Sequence, residues 1–454
     1  MSERVAMLVF NDFRNDSRVL KEARSLARAG YRVQVFALRK PDLPERELQH
    51  GFEVIRVDLD PWHLRLLRRL RTGSSRPPEA PRARGGRLAA PRMRRFRRSL
   101  HDLLKPLLMP WHRSLCYLDY WGRVQRRLRD EPIRIFHAHD LNTLPVAWWL
   151  GRRRGRRLLY DSHELYVDRN RIPPRSRFGK RFTRWIEGML IRRVDAVVTV
   201  NESIARVLAE RYRIARPAVV MNAPDARQAA SLAAVPDLRA LCGVPADRTL
   251  LLYAGSLTFH RGLDKLIAAL PLLPGCHLAL MGPGAPAMLD ELAGEAARHG
   301  VEGRVSFVPP VPSDQVSLVA AAADLGVAPI ENVCSSYYLC SPNKLFEYLH
   351  AGLPVAASDF PELRRILDEH RCGRTFDPSD PSEIAACISR MLADPGGLAR
   401  MRERAQRAAA RYDWAIEEAK LLDEYRRLRR QPVRGNARPR NARDTEPAVA
   451  GEEP

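Results

Sequence analysis

The sequence predicts an α/β protein of two tandem domains, each a doubly wound sheet of parallel strands with helices on both faces. Three observations carry that expectation. Short apolar runs alternate with longer helical patterns along the chain, the order that βαβ units produce. Runs such as Leu250-Leu251-Leu252-Tyr253-Ala254 are apolar throughout, as strands covered on both faces must be. The alternation breaks over an irregular stretch, 223–247, and restarts near residue 249, and 454 residues are too many for one core.

In chain order, the first half holds strand patterns at 4–10, 31–37, 53–57, 133–138, 157–162, 195–200 and 218–222. The second half holds them at 249–255, 277–282, 304–308, 324–329, 353–357 and 373–376. These place a first domain at 1–222, a linker at 223–247 and a second domain at 248–410. An amphipathic helix follows at 411–428, carrying Tyr412, Trp414, Ile416, Leu421, Leu422 and Tyr425. The tail 429–454 has no apolar period and is expected to be disordered. A basic insertion at 62–118 interrupts the first domain. Its middle, 72–92, reads as a disordered basic loop. Its flanks have helical spacing with Trp62, Leu66, Phe96, Leu104, Leu108 and Trp111.

The net charge of +23 calls for an anionic partner, and the excess is local: residues 62–113 hold 15 Lys and Arg against 2 acids. Apolar residues among arginines are the composition of an interfacial helix, so 62–118 is expected to meet an anionic membrane surface. No RNA-binding motif accompanies the charge, and no nucleic-acid partner is expected. The seven cysteines (116, 242, 276, 334, 340, 372 and 387) form no C-x-x-C pair. That argues for a reducing compartment and against a structural zinc. The apolar run Val5–Phe10 is too short for a signal peptide, and no segment reaches the roughly 18 apolar residues of a membrane span. A cytoplasmic protein, peripheral at the inner face of the membrane, is the expectation.

The most informative stretch is 341–358. Ser341 suits a helix N-cap, Pro342 the first helical position, Gly352 the left-handed residue after the helix and Pro354 its stop. Asn343 lies at that helix start. Lys344 and Glu347, three apart, share a face close to the positive helix end. Such an end can hold a diphosphate and an adjacent polyol. The run Tyr253–Asp264 reads as strand, glycine turn, loop and helix. Gly255 at the strand end permits close backbone approach beside Ser256, and Arg261 can grip phosphate oxygens where ligands of open α/β sheets bind. Gly282 repeats the glycine turn after the next strand. In the first domain His137-Ala138-His139-Asp140 and Asp161-Ser162-His163-Glu164 end adjacent strands. Such residues can be metal ligands, structural histidines or polar contacts to a substrate in the interdomain cleft; the last is favoured. In the loop Asn11–Val19, Asp16 or Ser17 can cap a helix beginning near Arg18.

These pieces, in this order, resemble the family 4 glycosyltransferases of the GT-B fold. The matching runs are KEARSLARAGYRVQVFA (21–37), HAHD (137–140), LLYDSHE (158–164), VVMNAPD (219–225), YAGSLTFHRGLD (253–264) and SPNKLFEYLHAGLPVAASDFPELRRIL (341–367). The resemblance implies two Rossmann-like domains facing across a cleft, with a final helix crossing back onto the first, which fits 411–428. It implies retaining transfer from a nucleotide-diphosphate sugar to a saccharide or lipid-linked acceptor, in cell-envelope polysaccharide or glycolipid synthesis. No metal and no other cofactor are implied. Arg261 takes the position of the family's diphosphate-binding basic residue, Glu347 the second glutamate of its E-x7-E motif, and His139 the histidine near the transferred sugar. Two departures stand out. Ser256 occupies a position where the family often has Arg, and Leu339 the first glutamate of E-x7-E. Lys344 can supply the missing cation. The alternatives are a nucleotide-sugar epimerase of the same fold and a non-catalytic binding subunit.

Overall fold

The computed structural model of the chain describes residues 3–72, 91–152, 155–171, 174–229 and 235–431. Nearly all of the expected basic loop 72–92, and the tail beyond Gln431, lie outside the described residues.

Two sheets organise the chain. The first is built from β1 (Arg4–Leu8), β2 (Arg32–Leu38), β3 (Arg46–Gln49), β4 (Phe52–Val57), β5 (Ile135–His139), β6 (Arg157–Ser162), β7 (Ala196–Thr199) and β8 (Ala218–Val219). Its order is β3-β4-β2-β1-β5-β6-β7-β8. The second comprises β9 (Thr249–Ala254), β10 (Cys276–Met281), β11 (Val305–Val308), β12 (Leu325–Ala328), β13 (Val355–Ser358) and β14 (Gly373–Phe376), in the order β11-β10-β9-β12-β13-β14. Every pairing is parallel except β3 on β4. Both sheets are therefore doubly wound, as expected from the apolar runs. The strand missing from the sequence analysis is β3. Its residues alternate exposed and half-buried, and Leu48 is 80% exposed. A strand held to an edge by backbone pairing leaves no apolar signature.

In each sheet the strand order reverses once, between β1 and β5 and between β9 and β12. Loops diverging at such a switch point leave a crevice at the strand carboxyl ends. In register, Met7 of β1 lies between Val35 and His137, so His137 is a residue of the sheet centre.

The Trp414–Arg430 helix returns to the first sheet. Trp414, Leu421, Tyr425 and Leu428 are buried in one cluster with Val5, Met7 and Val19. Trp414 donates its indole N–H to Ser25 Oγ at 3.0 Å, and Arg157 Nε donates to the Leu428 carbonyl at 3.1 Å. Across the cleft, Asn201 Nδ2 donates to the Leu339 carbonyl at 2.7 Å and Ser203 N to Glu362 Oε1 at 2.9 Å.

One expectation about the Asn343–His350 helix is corrected. Pro342, not Ser341, is its N-cap, and no side chain caps it. The Ser341 hydroxyl instead accepts a hydrogen bond from Asn201 Nδ2 at 3.1 Å, recruited by the opposite domain.

Truncating Trp414 to Ala leaves a large void between the returning helix and the first helix (Ser17–Arg28). The substitution should cost about 3–5 kcal/mol, read as a lowered urea midpoint of the first domain's unfolding. An unchanged midpoint would show that the returning helix contributes little to that core.

Candidate active site

The cleft wall from the second sheet is set by close backbone approach. Gly255 follows β9 with φ +132°, and a Cβ there would lie 3.2 Å from Lys344 Nζ. Gly282 has φ +150°, and its Cβ would fall 2.0 Å from the Gly255 carbonyl oxygen. Both turns therefore require glycine. Gly282 shapes the site from behind Gly255 and does not line it.

Lys344 points into this crowded corner. It is 7% exposed, its ammonium lies 3.3 Å from the Tyr253 ring centroid, and its Nζ has no hydrogen-bond partner among the described residues. Burial, then the charge of Arg261, holds the Lys344 ammonium well below the ordinary lysine range. Arg261 lies over the Tyr337 ring at 4.8 Å. Gly255, Ser256, Arg261, Asn343, Lys344 and Glu347 line one cavity of about 390 Å³. Burial pushes the Glu347 carboxyl up to about 7, with Lys344 and Lys21 opposing. Six of the donor-side residues singled out in the sequence thus share one space, where two cations and an uncapped helix start converge. An anion with an attached polyol fits that chemistry.

The wall from the first sheet is a buried charge network. Arg18 donates Nε and Nη2 to Asp161 at 2.8 and 2.9 Å and pairs with Glu22 at 3.1 Å. Burial alone would raise Asp161, but Arg18 and His163 hold it well below the usual carboxylate range. Burial opposes charge on His163, yet Asp161 and Asp140 push it up to about 10. Burial drives His139 down and His137 well down, so both are neutral rings. His139 lies 3.1 Å from His163 and is 3% exposed. It lines neither large cavity of the cleft; His163 lines both. The structure thus sets the sequence-chosen histidine one layer back and presents His163. Asp140 turns the chain here at φ +61°, an uncommon conformation for a non-glycine residue.

Glu22, His137, His139 and Asp161 offer atoms within 4.8 Å of one another, a set that could ligate a metal. The Arg18 guanidinium already lies against both carboxylates, so a dication there would have to share them with a fixed cation.

A second cavity, of about 420 Å³, adjoins the first through His163, Ser341 and Asn343 and is otherwise lined mainly by Asn11, Asp12, Asn15 and Asp16. Its amide and carboxylate groups suit hydroxyl-bearing ligands. Lys21, which the sequence analysis did not single out, shares a smaller cavity with Glu347 and is pushed down to about 7 by burial. Its signal is its place in the first helix, on the face one turn beyond Ser17.

Family models match two parts of the chain: a glycosyl transferase 4-like domain over residues 16–225 and glycosyl transferases group 1 over 248–394. D-inositol 3-phosphate glycosyltransferase of Xylanimonas cellulosilytica is 33% identical over 43% of this chain and 47% of its own, so the chain spans about half of that relative. The protein of the same name from Thermobispora bispora is 28% identical over 67% of this chain and 73% of its own. Among solved structures, sucrose-phosphate synthase from Thermosynechococcus elongatus superposes with a TM-score of 0.71 at 19% identity, covering 94% of this chain and 99% of that one. Anabaena HepE, solved with UDP-glucose, gives 0.65 at 16% identity over 93% and 99%. At these identities the two structures speak to the fold.

Lys344→Met removes an unpartnered buried ammonium and should stabilise the ligand-free protein by about 1–3 kcal/mol at neutral pH. The folded pKa lies below the 10.5 of a free lysine. Between those values the unfolded chain binds the extra proton, so native stability rises with pH. The gain from Lys344→Met should therefore shrink toward pH 10.5, as followed by thermal unfolding at several pH values. A less stable variant at neutral pH would overturn the account.

Proposed function

The chain belongs to the family 4 glycosyltransferases, and from that premise we propose that it transfers a sugar, with retention of anomeric configuration, from a nucleotide-diphosphate donor to a saccharide or lipid-linked acceptor of the cell envelope. One observation carries the donor assignment: Lys344, buried and unpartnered, stands with Arg261 beside an uncapped helix start in a single cavity. A buried cation without a counter-ion is costly, and a diphosphate supplies the missing charge. The HepE structure with UDP-glucose and the transferase names of the relatives support the same reading.

Departure of the diphosphate leaves an oxocarbenium-like sugar centre, and negative charge grows on the leaving oxygens. Arg261, Lys344 and the N–H groups at Asn343 and Lys344 oppose that charge, preorganised as the cleft already holds them. Glu347 accepts from the ribose hydroxyls. His163, with His139 behind it, faces the transferred sugar. The cations are the protein's own, so no metal step is needed. The retaining course rests on family membership.

A membrane surface is the proposed partner of the first domain's outer helices. No helix among the described residues is long and apolar enough to cross a membrane. Phe96, Trp111, Phe178 and Trp185 are 61–79% exposed. On the Arg177–Ile191 helix, Phe178, Phe182 and Trp185 stack at 6.4 and 5.9 Å among exposed Arg177, Arg181 and Arg184. Aromatic rings bordered by arginines suit the headgroup boundary of an anionic bilayer.

Arg261→Ala should lower transfer roughly 10²-fold or more, with the protein still folded, if its contact is made mainly in the transition state. Transfer should persist in EDTA. The assay is product formation across a panel of nucleotide-sugars with and without acceptor. Wild-type kinetics in the variant would remove the assignment, and acceptor-independent conversion of the donor would point to an epimerase instead.

Binding to anionic vesicles should fall as salt rises, and a Phe182→Ser/Trp185→Ser pair should weaken it, as read by co-sedimentation. Equal recovery in the supernatant with anionic and neutral vesicles at low salt would remove the membrane partner and leave the transferase untouched.

A further inference from the structure

Three arginines of the first domain, Arg113, Arg169 and Arg175, converge on one pair of tyrosines just outside the cleft, and Arg171 lies close enough to feel their charge. Tyr117 and Tyr166 meet hydroxyl to hydroxyl at 3.2 Å. Arg113 donates Nε to Tyr117 at 3.0 Å, and Arg169 lies 3.9 Å over the Tyr166 ring. Arg175 lies 5.2 Å from that ring and donates to the Tyr166 carbonyl at 3.3 Å. Arg171 completes the group: burial, then the charges of Arg113, Arg175 and Arg169, lowers its guanidinium from the ordinary value.

Among the described residues the charge is balanced at Arg169 alone of the four: burial opposes its guanidinium, but Tyr166, Glu164 and Asp140 outweigh burial and raise it above the ordinary value. Arg169 touches Glu164 at 3.4 Å, while the other Glu164 oxygen accepts from Ser336 across the cleft at 3.1 Å. Among the described residues no carboxylate forms an ion pair with Arg113, Arg171 or Arg175, and Arg169 Nη2 is buried without a hydrogen-bond partner. Burial would raise the Tyr117 phenol, but its bond to Tyr166 and the charges of Arg113 and Arg169 bring it below its ordinary value. By contrast, Lys180 and Arg211, beside the same turn, are both paired with Asp168, at 2.6 and 2.7 Å.

The place of the cluster matters. Glu164 lines the 390 Å³ cavity. Tyr117 packs edge-on against Phe10 at 4.6 Å, and the next residue, Asn11, lines the 420 Å³ cavity. Arg113 is exposed, two residues from Trp111 on the apolar outer face.

We propose that Arg113, Arg169, Arg171 and Arg175 form an anion subsite that takes the phosphate or diphosphate group of the acceptor at the mouth of the cleft. The proposal rests on the transferase reading for calling the ligand an acceptor; the anion site itself rests on the arginines. Forked guanidiniums match phosphate oxygens, and several around one group hold a charge that a single surface arginine does not. The phosphate can belong to a soluble sugar phosphate or to a lipid-linked diphosphate, and the arginines read the chemistry common to both.

The test uses inorganic pyrophosphate as the probe, at fixed ionic strength, on the full chain carrying Arg261→Ala and Lys344→Ala to silence the donor side. Titration calorimetry should show one saturable site. Adding Arg113→Ala and Arg171→Ala should weaken it roughly tenfold or more for each arginine lost, with the far-ultraviolet spectrum unchanged. Should the silenced background fold poorly, the otherwise unsubstituted chain serves: its pyrophosphate isotherm should fall from two sites to one when Arg113 and Arg171 are replaced. Competition by glucose 1-phosphate marks a soluble acceptor, and competition by a polyprenyl diphosphate in detergent marks a lipid-linked one; either supports the subsite. No saturable pyrophosphate binding, or binding indifferent to Arg113 and Arg171, overturns it. So does binding only to phosphatidylglycerol vesicles, which would make the cluster part of a general membrane contact. Nucleotide-sugar binding to the wild-type chain is measured alongside. Its absence would sink the transferase reading while leaving the pyrophosphate result interpretable.

Discussion

The pair between Arg18 and Asp161 ties together the first helix, β6 and the stretch just after β8. Both side chains are buried, the contact is bidentate, and the remaining guanidinium nitrogen donates to the Val220 carbonyl at 2.6 Å. Removing one partner of such a pair typically costs about 3–5 kcal/mol, because the other charge is left in low dielectric. Through Asp161 the pair sets the charge on His163, and through Val220 it fixes where the chain leaves the first domain. The cleft's first wall and the end of the first domain at Val220 are thus positioned by one interaction. Around it the histidines divide by burial and neighbours: His163 carries charge at the surface of the cleft, while His137 and His139 remain neutral within.

The second wall follows a different constraint, close packing of backbone. Gly255 and Gly282 press together so that Lys344 can reach the strand end. Tyr348, one turn on, donates its hydroxyl to the Leu252 carbonyl at 3.1 Å and locks the helix to β9. The cation is therefore held by a rigid scaffold. Its cost in the ligand-free protein and its use in binding are two aspects of the same burial.

Most of the architecture was legible because parallel strands covered on both faces must be apolar throughout. Each strand expected from such a run is present, offset by at most two residues at its ends except the 218–222 run, where the strand stops at Val219. β3 was not legible, since Arg46-Glu47-Leu48-Gln49 pairs by backbone alone. The donor-side residues were legible because glycine, lysine and glutamate stand at fixed distances around one helix start. The N-cap was misplaced by one residue, as Ser341 answers to Asn201, 140 positions away. The same limit hid Lys21, Glu22 and the aromatic stack of Phe178, Phe182 and Trp185. Helical spacing signals a face, and only the assembled fold decides whether it meets a core, a cleft or solvent.

The returning helix has a consequence for biosynthesis. Tyr425 bonds His137 at 3.0 Å in the centre of the first sheet, and Trp414 seals the face beside Ser25. The first domain's core is therefore complete only after residues 414–430 have been made. On the ribosome, residues 1–413 emerge before the amino-terminal sheet can cover that face. Until then the cluster around Val5, Met7 and Val19 presents apolar surface to solvent, a window in which a nascent-chain chaperone would find a binding site.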